Sequence, residues 1–307
     1  MLHSTLNTKA QIPRLGLGTW ESKGDDGYNA ILDAFDAGYR SFDLAYAYGN
    51  EEQVGRAFKH IFDSGKAKRE DLFITSKLWC TVHRPELVLP AYQQTLKNLQ
   101  LDYLDLYLVH WPFAMPVGEG DFPKDEQGFR KTERVPLSAT WKAMEELYEK
   151  GLVKAIGVSN TPVALLYELY CGCKIIPAVN QVELHPFCQQ PKLVSFCERI
   201  GVHLTAYSPL GRSGGSHAEV NASTHPVLVE IGKKHNKSAA QVALRWQIQR
   251  SQNISIIPKS TRKERIIENI SIFDFELTPA EMEQIAKLDE NRHVVDAAAL
   301  FNVPIFN

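Results

Sequence analysis

Residues 71–78 read DLFITSKL, and the fold class follows from them. A compact apolar run that ends in polar residues is the pattern of a strand buried on both faces, as parallel sheets require. Amphipathic segments of helical period flank it near 50–62 and 84–99, and the alternation continues outward in both directions. Further β-rich runs sit near 15–17, 40–43, 104–109, 153–158, 177–181, 203–207 and 254–257. Helical patterns recur near 25–37, 138–150, 161–170, 190–200, 226–249 and 262–270. Thr161-Pro162 puts Pro at a first helical position, and Thr278-Pro279 repeats the signal with Glu281 three residues after the cap. Eight strand–helix units with no Pro/Gly/Ser linker predict an α/β chain folded as a single (β/α)8 TIM barrel domain over residues 1–307. A doubly wound open sheet is the alternative.

What exceeds a minimal barrel is localised. Residues 1–14 resemble a short β-hairpin that could close the barrel bottom. Residues 111–136 (WPFAMPVGEGDFPKDEQGFRKTERVP) and 211–226 have no periodicity and are rich in Gly, and loops of that length in a compact domain are usually functional or mobile. They belong at the C-terminal face. The tail from Asn291, ending AAALFNVPIFN, is too apolar to dangle, reads as irregular without a clear helical pattern, and is expected to fold back over the molecule.

Composition narrows the partners. With 307 residues, 44% hydrophobic, 23% charged and a net charge of −2, the chain is an ordinary globular one. A nucleic-acid or anionic-membrane binder would usually carry a basic excess. Neither a secretory signal nor an apolar run of membrane-spanning length is visible, and five cysteines (Cys80, Cys171, Cys173, Cys188, Cys197) do not form a small-secreted-protein pattern. Cys171 and Cys173, with His185 and Cys188 beyond them, lack the spacing of a structural zinc site, so no metal is expected. The reading is a cytoplasmic protein, monomer or weak dimer, with a small-molecule partner.

Chemistry concentrates at strand ends, which in a parallel barrel converge on one mouth. Asp43 ends the second strand, Tyr48 follows in its loop, Lys77 ends the third and His110 the fourth. Singly, Asp43 could cap a turn, Lys77 could be a solvated strand end, and Tyr48 or His110 could simply pack. On successive strands they put acid, base and counter-charge within mutual reach. An ammonium beside a phenol favours the phenolate and so lowers the phenol's pKa from near 10. Asp43 would hold Lys77 charged, Lys77 would act on Tyr48, and Tyr48 would protonate an alkoxide forming from a carbonyl. A neutral His110 would hydrogen-bond the same oxygen. Hydride transfer fits this acid–base work, which involves neither nucleophile nor metal.

The segments GYRSFDLAYAYGNEEQVG (38–55), KLW (77–79), LVHWP (108–112), KAIGVSN (154–160), VNQVELHP (179–186), AYSPLG (206–211) and IIPKSTRKERIIEN (256–269) together resemble the aldo-keto reductases, in family order. The ending NVPIF resembles the aldose and xylose reductase branch. The resemblance implies a (β/α)8 barrel that binds NADPH and reduces aldehydes or ketones, with Asp43, Tyr48, Lys77 and His110 as its catalytic tetrad. It also implies a cofactor groove across the mouth. Ser159, Asn160 and Gln181 would bond the carboxamide, Tyr207 would stack beneath the nicotinamide, Thr19 and Asp43 would lie near its ribose, and Ser208 and Leu210 would line the pyrophosphate path. Lys259, Ser260 and Arg265 would hold the adenosine 2′-phosphate, with Glu268 and Asn269 near adenine. A Rossmann fingerprint is missing: GLGTWE from Gly16 carries Glu21 where the third glycine would stand. Independently, Lys259, Arg262, Lys263 and Arg265 form a basic cluster; Arg262 and Lys263 could simply be a solvated helix face, whereas Lys259 and Arg265 stand where a strand end meets a helix start, a natural anion site.

Trp20, Trp79 and Trp111 each follow a strand and would wall a substrate pocket over Tyr48 and His110, with Phe301, Phe113 and Phe122 completing it. Three departures from the family stand out. Thr161 occupies a usually aromatic position. Gly214 lies near where aldose reductases carry a cofactor-clasping aspartate, and VVDAAALF (294–301) lacks the Asn and Trp that xylose reductases place near the sugar. Two other functions remain open: an NADPH-binding regulatory or structural member of the same fold, and a metal-dependent barrel hydrolase, against which the Lys beside the lone His speaks.

Overall fold

A computed structural model describes residues 2–212 and 220–306. The chain opens with two antiparallel strands, β1 (His3–Thr5) and β2 (Gln11–Pro13), the expected hairpin. Its Leu6 and Ile12 pack against Phe73, Leu106, Leu108, Ala155, Ala178 and Val179, and so plug the N-terminal end of the barrel.

Eight parallel strands follow in chain order: β3 (Leu17–Gly18), β4 (Ser41–Asp43), β5 (Phe73–Leu78), β6 (Leu106–Val109), β7 (Ile156–Ser159), β8 (Val179–Glu183), β9 (His203–Tyr207) and β10 (Ile254–Ile256). Parallel bridges Leu15–Ile256 and Gly18–Lys259 join the last strand to the first, giving a (β/α)8 barrel. Every residue of β5 is buried, as a strand with the barrel interior on one face and helices on the other must be. The Lys77 ammonium is therefore introduced into the core by strand geometry, and needs partners there.

The helices are α1 (Asp25–Asp36), α2 (Glu51–Asp63), α3 (Pro85–Leu99), α4 (Leu137–Glu149), α5 (Val163–Gly172), α6 (Pro191–Ile200), α7 (Pro226–His235), α8 (Ala239–Gln249), α9 (Lys263–Ile270), α10 (Pro279–Ala286) and α11 (Ala297–Phe301). In α2 the buried Val54, Ala57, Phe58 and Ile61 recur at helical spacing and face the sheet, while Glu51 and Glu52 complement the positive N-terminal end. At α10 the Thr278 hydroxyl accepts the Glu281 N–H and the Glu281 carboxylate accepts the Thr278 N–H, the reciprocal cap expected from the sequence.

Two expectations need correction, and a third gains detail. The single helix expected over 226–249 is two. Asn236 adopts a left-handed conformation (φ 53°) that ends α7, and Ser238 with Gln241 builds a new capping box that starts α8. Pro162 is the cap residue of α5, not its first helical position. The irregular tail does contain a short helix, α11, whose first turn is capped by Asp296 Oδ1 accepting the Ala298 N–H at 2.8 Å. The loop residue Gly214 lies outside the described residues.

Gly157 shows how tightly the strands pack toward the N-terminal end of the barrel. A Cβ there would lie 2.7 Å from Leu108 Cδ2 and closer still to the Val179 carbonyl oxygen. Gly157→Ala is therefore expected to cost about 1–3 kcal/mol through overpacking. Urea unfolding reads this as a lower midpoint at unchanged slope, and an unchanged midpoint would contradict it.

Candidate active site

Asp43 is the last residue of β4, and Lys77 is the penultimate residue of the neighbouring β5. Both side chains are buried, Lys77 wholly so. The three ammonium donors are all used: Lys77 Nζ donates to Asp43 Oδ2 at 2.6 Å, to the Leu44 carbonyl at 2.7 Å and to Tyr48 Oη at 3.2 Å. Burial lowers the Lys77 pKa, and the Asp43 carboxylate opposes that shift. The second oxygen of Asp43 accepts Gln181 Nε2 at 2.7 Å from across the barrel. Its main-chain carbonyl accepts the Thr19 hydroxyl at 2.9 Å and the Thr19 N–H at 3.2 Å.

Tyr48 ends a one-turn 3-10 helix, Tyr46–Tyr48, which Gly49 terminates in the left-handed region (φ 65°). His110 is the first residue after β6. Its N–H donates to the Leu78 carbonyl at 3.1 Å, and its own carbonyl accepts Asn160 Nδ2 at 2.9 Å. The His110 ring meets Tyr48 edge-on at 5.8 Å and Trp79 at 5.1 Å between centroids. Its Nδ1 is enclosed and has no hydrogen-bond partner among the described residues.

Two pKa shifts define the resting state. Burial, then the Lys77 ammonium and His83, push His110 well below the usual histidine value, so its imidazole is neutral. Burial and then the Asp43 carboxylate push the Tyr48 phenol well above the usual value. This corrects the expectation that Lys77 makes the phenol more acidic. The ammonium is compensated by the carboxylate 2.6 Å away, so the phenol feels a neutral pair in a desolvated site and stays protonated.

The predicted cofactor residues assemble around this pair. Ser159 Oγ donates to the Gln181 carbonyl at 2.7 Å, and Tyr207 Oη donates to Asn160 Oδ1 at 2.7 Å. Asn160 holds a left-handed backbone (φ 56°), which turns its amide back toward Ser159 Oγ and the His110 carbonyl. The ends of β6, β7, β8 and β9 are thus cross-linked by side chains. Thr161, the departure from the family pattern, is buried and donates its hydroxyl to the Ser159 carbonyl at 3.1 Å. Ser208 also has a positive φ (47°), and Leu210 is partly buried between the barrel core and the α7–α8 core.

Lys259 follows β10 and bridges to Gly18, the residue before Thr19, so the basic cluster is continuous with the Asp43 environment. Lys263 pairs with Asp33 at 3.2 Å, whereas Lys259, Arg262 and Arg265 have no ion-pair partner among the described residues. Ser260 Oγ accepts the Arg262 N–H at 3.1 Å. Asn269 is buried with no side-chain hydrogen bond among the described residues, and Glu268 accepts Gln241 Nε2 at its carbonyl.

Trp79, Trp111 and Phe301 form one buried apolar cluster with Cys80, Met115 and Ala297. Phe301 lies 5.2 Å from Trp111 and 4.5 Å from Phe113, and Phe122 lies 5.3 Å from Trp79. Trp20 stands apart. It is 45% exposed, with the Arg212 guanidinium 5.6 Å over its ring, and it makes no ring contact with the others.

Sequence reasoning missed three supports. Asn50 Nδ2 donates to the Thr19 and Ser22 carbonyls at 2.9 and 3.0 Å, fixing the loop after β3. Glu51 accepts Ser76 Oγ at 2.8 Å and Asn98 Nδ2 at 3.0 Å beneath the Lys77 strand. Arg130 lies 4.3 Å over Phe122 and 5.7 Å over Phe301. Only Asn50–Glu51 carried a signal, two polar residues directly after the Tyr48 turn, and it also reads as a plain helix start. Among the described residues no three His, Cys, Asp or Glu side chains are arranged to hold a metal, and no helix is long and apolar enough to cross a membrane.

Comparison with known proteins matches residues 14–290 to the aldo/keto reductase family. Aldo-keto reductase family 1 member A1 of mouse is 45% identical over 295 residues, covering 94% of this chain and 90% of its own. The human protein of that name is 43% identical over 295 residues, with the same coverage. A solved structure of the aldose reductase from Schistosoma japonicum superposes with a TM-score of 0.93 at 40% identity, covering 100% of this chain and 98% of that one.

Two stability measurements follow from the geometry. Lys77→Met or Asp43→Asn alone leaves a buried group unpaired and should cost about 3–5 kcal/mol, whereas the double variant should cost less than the sum. Additive losses would show that the two side chains do not act as a pair. His83 is buried and held down to about 3, so the unfolded chain takes up its proton near pH 6.5 while the native one does not. Stability attributable to His83 is complete above that pH and is lost as pH falls toward 3. His83→Leu should flatten the slope of stability against pH between 4 and 6 by about 1.4 kcal/mol per pH unit, and an unchanged slope would place a proton on native His83.

Proposed function

The chain belongs to the aldo/keto reductase family, and we propose that it reduces aldehydes and ketones to alcohols with NADPH, Tyr48 acting as the general acid. The observation that carries this reading is the contact of Tyr48 Oη with an ammonium that is itself neutralised by a buried carboxylate.

Two features of the chain fit the cofactor. Lys259, Arg262 and Arg265 are free of ion pairs among the described residues, and Ser159, Asn160, Gln181 and Tyr207 line up at consecutive strand ends beside Asp43. Lys259, Ser260 and Arg265 would hold the 2′-phosphate, with Glu268 and Asn269 near adenine. Ser208 and Leu210 would line the pyrophosphate path, and Ser159, Asn160, Gln181, Tyr207 and Thr19 would hold the nicotinamide end. Bound there, NADPH supplies the hydride that reduces the carbonyl carbon.

The chain's own groups handle the proton. A carbonyl oxygen at the mouth would accept from Tyr48 Oη, while neutral His110 orients it through Nε2. Held protonated in the resting state, Tyr48 has a proton to give at neutral pH. When the phenol gives it up, Lys77 stabilises the phenolate at 3.2 Å, a charge-assisted contact stronger than the one it replaces. Asp43 keeps Lys77 charged and aimed. Trp79, Trp111 and Phe301 exclude water from that oxygen and give an apolar wall that discriminates weakly among aldehydes, so aldoses, aromatic and aliphatic aldehydes are all candidate substrates. Such an enzyme would act as one domain, monomer or weak dimer, in the cytoplasm, and its five cysteines are unpaired.

Tyr48→Phe should lower kcat at least about 100-fold while NADPH still binds, as followed by quenching of tryptophan fluorescence. Undiminished turnover would remove Tyr48 as the acid. Lys259→Ala combined with Arg265→Ala should raise the Kd for NADPH at least about tenfold more than that for NADH, since each charged hydrogen bond to the phosphate contributes about 1.5–3 kcal/mol. Equal losses for the two cofactors would refute the phosphate site.

A further inference from the structure

Glu183 ends β8 two residues beyond Gln181, on the same face of the strand, and is buried. The proton path described above does not use it. Its Oε1 accepts the Val294 N–H at 2.6 Å and lies 2.8 Å from His185 Nε2. Its Oε2 accepts the Val295 N–H at 3.0 Å and lies 3.8 Å from His293 Nδ1. Burial by itself would raise this carboxyl, but the hydrogen bonds from His185 and from the Val294 N–H, with the His293 ring nearby, outweigh it and hold the group down to about 2. Glu183 is therefore an anion at working pH. Two adjacent main-chain N–H groups, 111 and 112 residues away in sequence, converge on it. Main-chain charge-assisted bonds of this kind fix a backbone, not merely a side chain.

The segment so held is the root of the C-terminal tail. Just before it, the Glu290 and Arg292 N–H groups donate to the Phe187 carbonyl at 3.1 and 3.0 Å. Just after it, α11 lays Ala297 and Phe301 on Trp79, Trp111 and Met115. The far end has its own fastening in the long loop: the Arg130 N–H donates to the Leu300 carbonyl at 3.0 Å, and the Arg130 guanidinium lies over Phe122 and Phe301. Gln181 reaches Asp43 from the strand whose last residue, Glu183, reaches the tail. One strand thus sets the register of both the catalytic carboxylate and the apolar wall.

We propose that Glu183 is a positioning residue for substrate: its carboxylate pins the root of the tail to β8, Arg130 pins the far end, and together they hold Phe301 against Trp111 as the wall that gives large apolar aldehydes their affinity. The kinetic part rests on the carbonyl-reductase reading; the fastening of the tail does not.

Glu183→Gln preserves shape but offers one carbonyl to two N–H groups, and Arg130→Met preserves bulk without the cation. Hydrogen exchange on the full-length variants, together with KM for an aromatic and for a three-carbon aldehyde, tests both parts. In Glu183→Gln the amides of Val294, Val295 and α11 should exchange at least about tenfold faster while β5 to β9 keep their protection. KM for the aromatic aldehyde should rise at least about tenfold, with kcat and the three-carbon KM within about twofold. Arg130→Met should loosen α11 and raise the same KM without exposing Val294 and Val295, and it carries the test if Glu183→Gln does not fold. A role confined to barrel folding would instead loosen the strands and leave the ratio of the two KM values unchanged. Unaltered tail exchange in both variants overturns the clasp, and faster tail exchange with an unaltered KM ratio overturns the wall. If exchange behaves as expected but neither aldehyde is reduced even by the unsubstituted protein, the carbonyl-reductase reading fails and the clasp stands.

Discussion

The ion pair between Asp43 and Lys77 organises the mouth of the barrel. Bringing two charges out of water costs several kcal/mol per ion, and their attraction offsets that only with good geometry and satisfied neighbours. The protein supplies both. The ammonium has three acceptors, and the carboxylate has Lys77 on one oxygen and Gln181 on the other. Because the third ammonium acceptor is Tyr48 Oη, satisfying the pair also places the phenol. Because the main chain of Asp43 holds Thr19, and Gln181 belongs to β8, the pair ties β4 and β5 to the loop after β3 and to the far wall. An apolar pair would fill the same space at no electrostatic cost, so chemistry explains this arrangement better than stability does.

Around the polar floor stands an apolar rim made from parts that are not barrel. Trp79 and Trp111 follow strands, while Phe122, Arg130 and Phe301 come from the long loop and the tail, which fasten to each other through Arg130. The floor is specified by strand register, the rim by inter-loop contacts. Reaction type and substrate choice can therefore change independently. The charge distribution follows the same division. A net charge of −2 averages away the cluster of Lys259, Arg262 and Arg265, which have no ion-pair partner among the described residues.

Most of the barrel was legible because burial on both faces leaves a continuous apolar mark, as in residues 71–78, and helix starts carry local caps, as at Thr278. Asp43, Lys77 and His110 were legible as polar residues ending apolar runs, with Tyr48 in the loop that follows the first of them. What failed depended on geometry that the sequence does not display. The break between α7 and α8 turns on one left-handed Asn236, a residue that also fits a helix interior. The direction of the Tyr48 shift differs from the expectation because burial, its larger cause, is visible only in space, and the Asp43 carboxylate beside Lys77 adds to it. The roles of Glu183 and Arg130 were not legible, since each reaches the C-terminal tail more than a hundred residues away.

If the pair exists for the reaction and not for the fold, the variant carrying both Asp43→Asn and Lys77→Met separates the two. Its barrel should persist, judged by circular dichroism and a cooperative urea transition, with Tyr48 and His110 both present. NADPH oxidation by that folded protein, followed at saturating aldehyde, should be at least about 100-fold slower than in the unsubstituted chain. Turnover within a few-fold of the original would contradict the assignment of the buried pair to catalysis.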